Sequence, residues 1–191
     1  MTYTTYDGKN FTAIKNDPSL AFTGDMAISL WMRPTDNTTW HQILGKGSIS
    51  GGTTENDNYQ LFQVGNNLVF EWDDSATGNH YQTITTSSTL AAGAWNYVTV
   101  SVSGGTIKIY NNGVEQQPLV YNNGLDPTNT ATRIPTAPTI ILQSTTNDVT
   151  MGKQNAPGSE YYYQGDIGAL SLYNRGLTTT EIANNLAGYT A

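Results

Sequence analysis

The sequence predicts an all-β domain of two stacked antiparallel sheets with one short C-terminal helix, and three observations carry that prediction. Apolar and polar residues alternate with period two along much of the chain, punctuated by turn residues. A hairpin signal, Asn111-Asn112-Gly113, supplies the positive-φ positions of a tight turn. A helical start signal appears near the end, where Thr178-x-x-Glu181 has capping-box spacing.

Taken in chain order, "MTYTTYDGKNF" reads straight into a strand. In "MAISLWMRP", Ile28 and Leu30 fall on one face and Ala27, Ser29 and Trp31 on the other. Further strands are expected at "YQLFQV", "LVFEWD" and "YQTIT". In "NYVTVSVSGG", Val98, Val100 and Val102 alternate with Tyr97, Thr99 and Ser101. "TIKIYNNGVEQ" follows as a hairpin with Ile107 and Ile109 inward. "TIILQS" and "IGALSLY" complete the strands. The last element is a helix or turn in which Ile182 and Leu186 share a face before Gly188 stops it. Gln116–Pro138 has no periodicity and holds four of the seven prolines, so it reads as a long crossover loop.

The 191 residues fit a single domain, 1–191, of sandwich size. Only 12% of residues are charged, while Thr, Asn, Gly and Tyr abound, as suits strands with hydroxyl- and amide-rich outer faces. A net charge of −7 repels phosphate backbones and anionic lipid, so neither a nucleic acid nor a membrane surface is an expected partner. No apolar run has the length of a membrane-spanning helix, and no basic-then-apolar leader opens the chain. With no cysteine there is no disulfide, thiolate metal site or Cys nucleophile.

Three segments carry a family resemblance. "YDGKNFTAIKNDPSLAFTGDMAISLWMRP", "WNYVTVSVSGGTIKIYNNG" and "YYYQGDIGALSLYNRGLTTTEI" resemble, in order, the opening, central hairpin and closing strand-plus-helix of laminin-G-like, concanavalin A-like domains. "WHQILGKG" extends the likeness, and together these segments cover most of the chain. The resemblance implies a jelly-roll sandwich. It is weak for function, because that fold serves lectins, adhesins, virion proteins and glycosidases alike.

In "VFEWDDSATGNHY", Glu71 and Asp73 share one face of a strand with Cα atoms roughly 6.5 Å apart. Paired carboxylates at such a spacing do the work of retaining glycosidases. Laminarinase-type members of the superfamily use Glu-x-Asp-x-Glu, or one residue more before the last Glu. Here the chain continues Asp74-Ser75-Ala76, so the second Glu is missing. The expectation is therefore a non-catalytic strand burying Phe70 and Trp72, with Glu71 and Asp73 solvated on its other face. His41 and His80, the only histidines, accompany no nucleophile elbow and no His-Glu-x-x-His motif.

The resemblance also implies a structural calcium ion, held at the matching positions Asp7, Asp25 and Asp166, although Ala169 stands where the family often has an acid. The plain alternative is that Asp7 and Asp25 form turns with their own backbone. Glu55, Asp57 and Asn58 make a second oxygen-rich loop. A glycan site needs aromatic platforms with amide and carboxylate partners. The candidates are Trp40 and His41, then Asn79, His80 and Tyr81, and then Tyr161 to Tyr163, of which at least one must be core.

Two functions are expected from this reading. One is a non-catalytic carbohydrate-binding or adhesion domain displayed on an extracellular or virion surface, its partner a carbohydrate or cell-surface glycan. The other is a purely structural phage virion protein, a head-decoration or tail-associated component contacting other virion proteins or itself. A chain starting at Met1 without a secretory leader, yet with exterior-looking chemistry, suits a virion protein, and an excised module would look the same.

Overall fold

The computed structural model of the protein describes residues 2–47, 49–50, 54–76, 79–85, 90–122, 140–155 and 161–189. In chain order these form β1 Tyr3–Asp7, β2 Thr12–Ile14, a 3-10 turn Pro18–Leu20, β3 Met26–Pro34, β4 Trp40–Lys46, β5 Ile49–Ser50 and β6 Thr54–Glu55. There follow β7 Tyr59–Val64, β8 Asn67–Asp73, β9 His80–Thr85, β10 Asn96–Ser103, β11 Thr106–Asn111 and β12 Val114–Gln116. The chain closes with β13 Pro118–Asn122, β14 Val149–Met151, β15 Gln164–Tyr173 and the helix α1 Thr179–Tyr189.

Among the described residues, one sheet has six strands in the order β1-β15-β3-β10-β11-β12, and the other has seven, β13-β9-β8-β7-β4-β14-β2. β5 and β6 pair separately. Every pairing is antiparallel. This is the predicted all-β jelly-roll sandwich with its C-terminal helix.

The alternation read from the sequence decides what lies between the sheets. Met26, Ile28, Leu30 and Met32 of β3 and the valines of β10 meet Tyr59, Leu61, Leu68, Phe70 and Trp72 of the opposite sheet. The second face of β3 is also covered. Ala27 and Trp31, with Tyr97 and Tyr110 of neighbouring strands, pack on Leu177 and Ile182 at the start of α1. Burying Ile182 alone is worth about 2 kcal/mol.

Local chemistry sets the ends. Gly104-Gly105 joins β10 to β11 with φ of +55° and +75°, and Asn112-Gly113 joins β11 to β12 with φ of +50° and +78°. Both have the two positive values of the hairpin turn that matches strand twist. The capping box forms as expected: Thr178 Oγ1 accepts from the Glu181 N–H at 3.3 Å, and the Thr178 N–H donates to Glu181 Oε2 at 2.9 Å.

Three expectations need correction. Gly188 does not stop the helix, which continues through it to Tyr189. "TIILQS" is not a strand. From Ile140 onward it makes only an isolated bridge between Leu142 and Asp74. The expected long loop begins instead with β13, which adds an edge strand to β9 through Pro118↔Thr85 and Leu119↔Ile84. Proline is tolerated there because an edge position does not require its N–H. The rest of that segment, 123–138, lies outside the described residues.

Candidate functional site

The outer face of the seven-stranded sheet collects the chemistry. On β8, Leu68, Phe70 and Trp72 enter the core, so Asn67, Val69, Glu71 and Asp73 point the other way. Register then sets their neighbours. Trp40 faces Val64. The next row is Gln42, Phe62, Val69, Ile84 and Leu119. Beyond it stand Gln60, Glu71 and Gln82, and then Asp73 beside His80. The face thus grades from aromatic through amide to acidic across roughly 20 Å of strand.

At the apolar end, Phe62, Val69 and Ile84 are buried, with Trp40, Val64 and Leu119 packed on them. Trp40 meets Phe62 edge-on at 5.7 Å and Tyr161 at 6.0 Å. Tyr161 is placed by its backbone, whose carbonyl accepts from the Gln42 N–H at 3.0 Å, and its ring is 39% exposed.

The amide row is tightly spaced. A register shift in β4 between Gln42 and Leu44 brings Gln42 Nε2 to 2.7 Å from Gln60 Oε1. Gly45 makes room for this contact, since a Cβ there would strike the Gln42 amide. Gln82 Nε2 donates to Glu71 Oε1 at 2.6 Å. Gln42 Oε1, Gln60 Nε2 and Gln82 Oε1 are buried with no hydrogen-bond partner. Buried polar atoms are normally satisfied, so these three atoms stand out on this face.

At the acidic end, His80 Nδ1 lies 2.8 Å from Asp73 Oδ1, and its Nε2 lies 4.0 Å from Glu71 Oε2. Asp73 Oδ2 accepts from the Asp57 N–H at 2.7 Å. Ligating atoms of Asp57, Asp73 and His80 fall within 4.8 Å of one another, close enough to share one metal ion. Carboxylates with an imidazole suit a transition metal better than calcium, which prefers oxygen alone.

Glu71 and Asp73 occupy the expected face but are not solvated there, being only 4% and 5% exposed. Sequence alternation separates the two faces of a strand without telling whether the second is covered. Neighbouring Asp74 is also buried and structural, its carboxylate accepting from the N–H groups of Ala76 and Ile141, each at 3.0 Å.

Of the predicted ligand-binding residues, Trp40, His80 and Tyr161 lie on or against this face. His41 is buried, with ring contacts to the Tyr162 carbonyl at 2.7 Å and Asp36 at 3.2 Å. Asn79 donates to the Tyr81 hydroxyl at 3.3 Å. Tyr81 and Tyr163 are core residues rather than platforms. Tyr81 stacks on Trp72 at 5.3 Å, and Tyr163 packs edge-on against Tyr6 at 6.3 Å. Burial raises the Tyr163 phenol above its usual pKa.

The expected calcium set does not assemble. Asp7 closes a turn by accepting from the N–H groups of Lys9 and Asn10, which holds its carboxyl below the usual range. Asp25 accepts from the Gly104 N–H at 2.9 Å. Asp166 binds Arg33 at 2.6 Å and Thr5 Oγ1 at 2.6 Å. Asp25 and Arg33 mark opposite ends of β3, roughly 26 Å apart at strand rise, so Asp25 and Asp166 cannot share an ion. In the second oxygen-rich loop, Asp57 joins the cluster on the sheet face while Asn58 accepts from the Phe22 N–H at 3.0 Å. The side chain of Glu55 lies outside the described residues. Gln42, Gln60, Phe62 and Gln82 were not singled out in the sequence. Alternation in "YQLFQV" separates Gln60 and Phe62 from the core positions but does not mark them as a site.

A model of the concanavalin A-like lectin/glucanases superfamily matches residues 7–139. The chain belongs to this superfamily. Comparison with curated protein sequences gives no match. Among solved structures, the CBM40 of Ruminococcus gnavus IT-sialidase bound to α2,3-sialyllactose aligns with TM-score 0.64 at 15% identity, covering 97% of this chain and 94% of that one. The binding domain of Paraclostridial Mosquitocidal Protein 1 aligns with TM-score 0.66 at 13% identity over 98% of this chain and 43% of that one. The botulinum neurotoxin serotype D ligand binding domain in complex with N-acetylneuraminic acid gives 0.62 at 15%, covering 97% and 41%. This superfamily member thus spans about two-fifths of the toxin binding domains. At such identities the likeness establishes the fold alone.

Proposed function

We propose that this domain is a non-catalytic glycan-binding module whose ligand occupies the outer face of the seven-stranded sheet. The observation that carries the reading is the row of buried amide atoms, Gln42 Oε1, Gln60 Nε2 and Gln82 Oε1, beside the aromatic group of Trp40, Phe62 and Tyr161. Sugar hydroxyls both donate and accept, so they can complete such a row, while aromatic rings take the apolar face of a pyranose. Trp40, Tyr161, His80 and Gln82 are partly exposed and form the rim, and Gln42, Gln60 and Glu71 form a buried floor. The fold shared with carbohydrate-binding domains supports the reading. Its non-catalytic character is supported by the missing second Glu after Asp73 and by the structural ties of Asp74. The setting proposed with it, an extracellular or virion surface, rests on the hydroxyl- and amide-rich composition.

The test is a broad glycan array probed with wild type, Trp40→Ala and Gln60→Ala, each with and without divalent cations because Asp57, Asp73 and His80 could hold one. Binding that both substitutions abolish, in folded protein, places the glycan on this face. Binding unchanged in both variants moves the site elsewhere, and no binding by wild type rejects the reading.

A further inference from the structure

Resting on that reading, we infer that the site selects neutral, hydroxyl-donating sugars and rejects those bearing a carboxylate, with Glu71 and Asp73 as the residues that set the preference. The floor is rich in acceptors. Glu71 and Asp73 are carboxylates only 4% and 5% exposed, and Asp57 beside them is fully buried. Gln42 and Gln82 each add an unpaired carbonyl oxygen, whereas Gln60 Nε2 is the one unpaired amide donor in the row.

A ligand that completes this floor must bring more donors than acceptors. Sugar hydroxyls do so. A sialic acid carboxylate brings acceptors alone, and among the described residues of this row only Gln60 offers it an unpaired amide N–H. Charge acts in the same direction. Glu71, Asp73 and Asp57 are all acidic, and His80 contacts Asp73 at 2.8 Å and Glu71 at 4.0 Å.

Several of the chain's cations are engaged elsewhere. Lys15 pairs with Asp148, Arg33 with Asp166, Lys108 with Glu115 and Arg175 with Glu181. Lys46 donates to Asn16 and Asn147, and Lys153 lies over Phe11 and Tyr162. In the low-dielectric setting of a buried floor, acidic groups repel an incoming anion more strongly than they would in bulk water. Structures sharing this fold do bind anionic sugars: one holds N-acetylneuraminic acid and another α2,3-sialyllactose. The preference inferred here therefore comes from this chain's own floor and not from the fold.

The experiment uses an array that prints each neutral oligosaccharide beside its sialylated form, lactose beside α2,3-sialyllactose among them. Wild type is compared with a Glu71→Gln, Asp73→Asn variant whose folding is confirmed by thermal melting. The expected result is wild-type binding to neutral forms at least about tenfold tighter than to their sialylated partners, with the gap narrowing about tenfold in the variant. If that variant does not fold, Glu71→Gln alone, which keeps the hydrogen bond from Gln82, gives the same comparison. Sialylated forms binding as well as or better than neutral ones overturn the inference while leaving glycan binding intact. A preference for neutral forms that does not change in the variant overturns the assignment to Glu71 and Asp73. Binding to no glycan at all rejects both this inference and the function on which it rests.

Discussion

Glu71 and Gln82 meet across β8 and β9 with Gln82 Nε2 donating to Glu71 Oε1 at 2.6 Å, on a sheet face where Glu71 is only 4% exposed. A buried carboxylate is tolerated only when its oxygens accept hydrogen bonds. This contact therefore ties the stability of the fold to the face proposed to bind a glycan.

Gln82→Ala removes one donor from the buried carboxylate of Glu71. The expected cost is about 1–3 kcal/mol, read from urea denaturation. Glu71→Gln should cost less than Gln82→Ala, because its neutral amide still accepts from Gln82 and carries no buried charge. A larger loss for Glu71→Gln would show that the charge itself is stabilised there.

Trp40 and Tyr161 separate binding from folding. Tyr161 is 39% exposed, so Tyr161→Ala should lower stability by less than about 1 kcal/mol. Trp40→Ala also loses the edge contact with Phe62 and should cost more, about 2 kcal/mol. Both should weaken glycan binding about tenfold or more. Unchanged affinity in Tyr161→Ala, measured by titration calorimetry, would remove Tyr161 from the site.

The docking of α1 should be acid-sensitive. Glu181 accepts from Arg175 Nη2 at 2.7 Å and from the Thr178 N–H at 2.9 Å, which takes its pKa down to about 2 from an ordinary 4.5. A depressed folded-state pKa means the contribution is fully present above the unfolded value and is lost as pH falls toward about 2. Asp7, Asp36 and Asp148 are lowered in the same sense. Thermal melts from pH 7 down to 2 should therefore fall in midpoint, and Glu181→Gln should flatten part of that fall. An equal pH dependence in the variant would exclude Glu181 as a contributor.

Gly152 holds φ at +81°, and a Cβ there would run into the Tyr6 ring. Its N–H donates to the Ile43 carbonyl at 3.1 Å, and its carbonyl accepts from the Tyr163 N–H at 3.0 Å. Gly152→Ala combines left-handed strain with overpacking, so the expected loss is about 2–4 kcal/mol by chemical denaturation. A loss under about 1 kcal/mol would mean that Tyr6 can give way.

Much of the architecture was legible from residue chemistry that acts locally. Alternation in "MAISLWMRP" and "NYVTVSVSGG" placed Ile28, Leu30, Val98, Val100 and Val102 on the core side, because the side-chain period of a strand is fixed by its backbone. Asn112-Gly113 and Thr178-x-x-Glu181 specified their turn and cap because each works through its own few residues. The same locality misled in "TIILQS", where an apolar run reads as a strand but pairs only at Leu142.

What tertiary structure decided is which residues share a face across strands distant in sequence, and how deeply they are buried. Gln42, Gln60, Glu71 and Gln82 come from four strands and meet only through register and the irregularity in β4. Register is set by core packing and turn geometry together, so no window of sequence contains it. For the same reason Asp7, Asp25 and Asp166, expected to converge on one ion, bond instead to different partners: Asp7 to its own turn, Asp25 to Gly104 and Asp166 to Arg33. The acids expected in solvent, Glu71 and Asp73, lie instead on the buried floor of a face that only the assembled sheet creates.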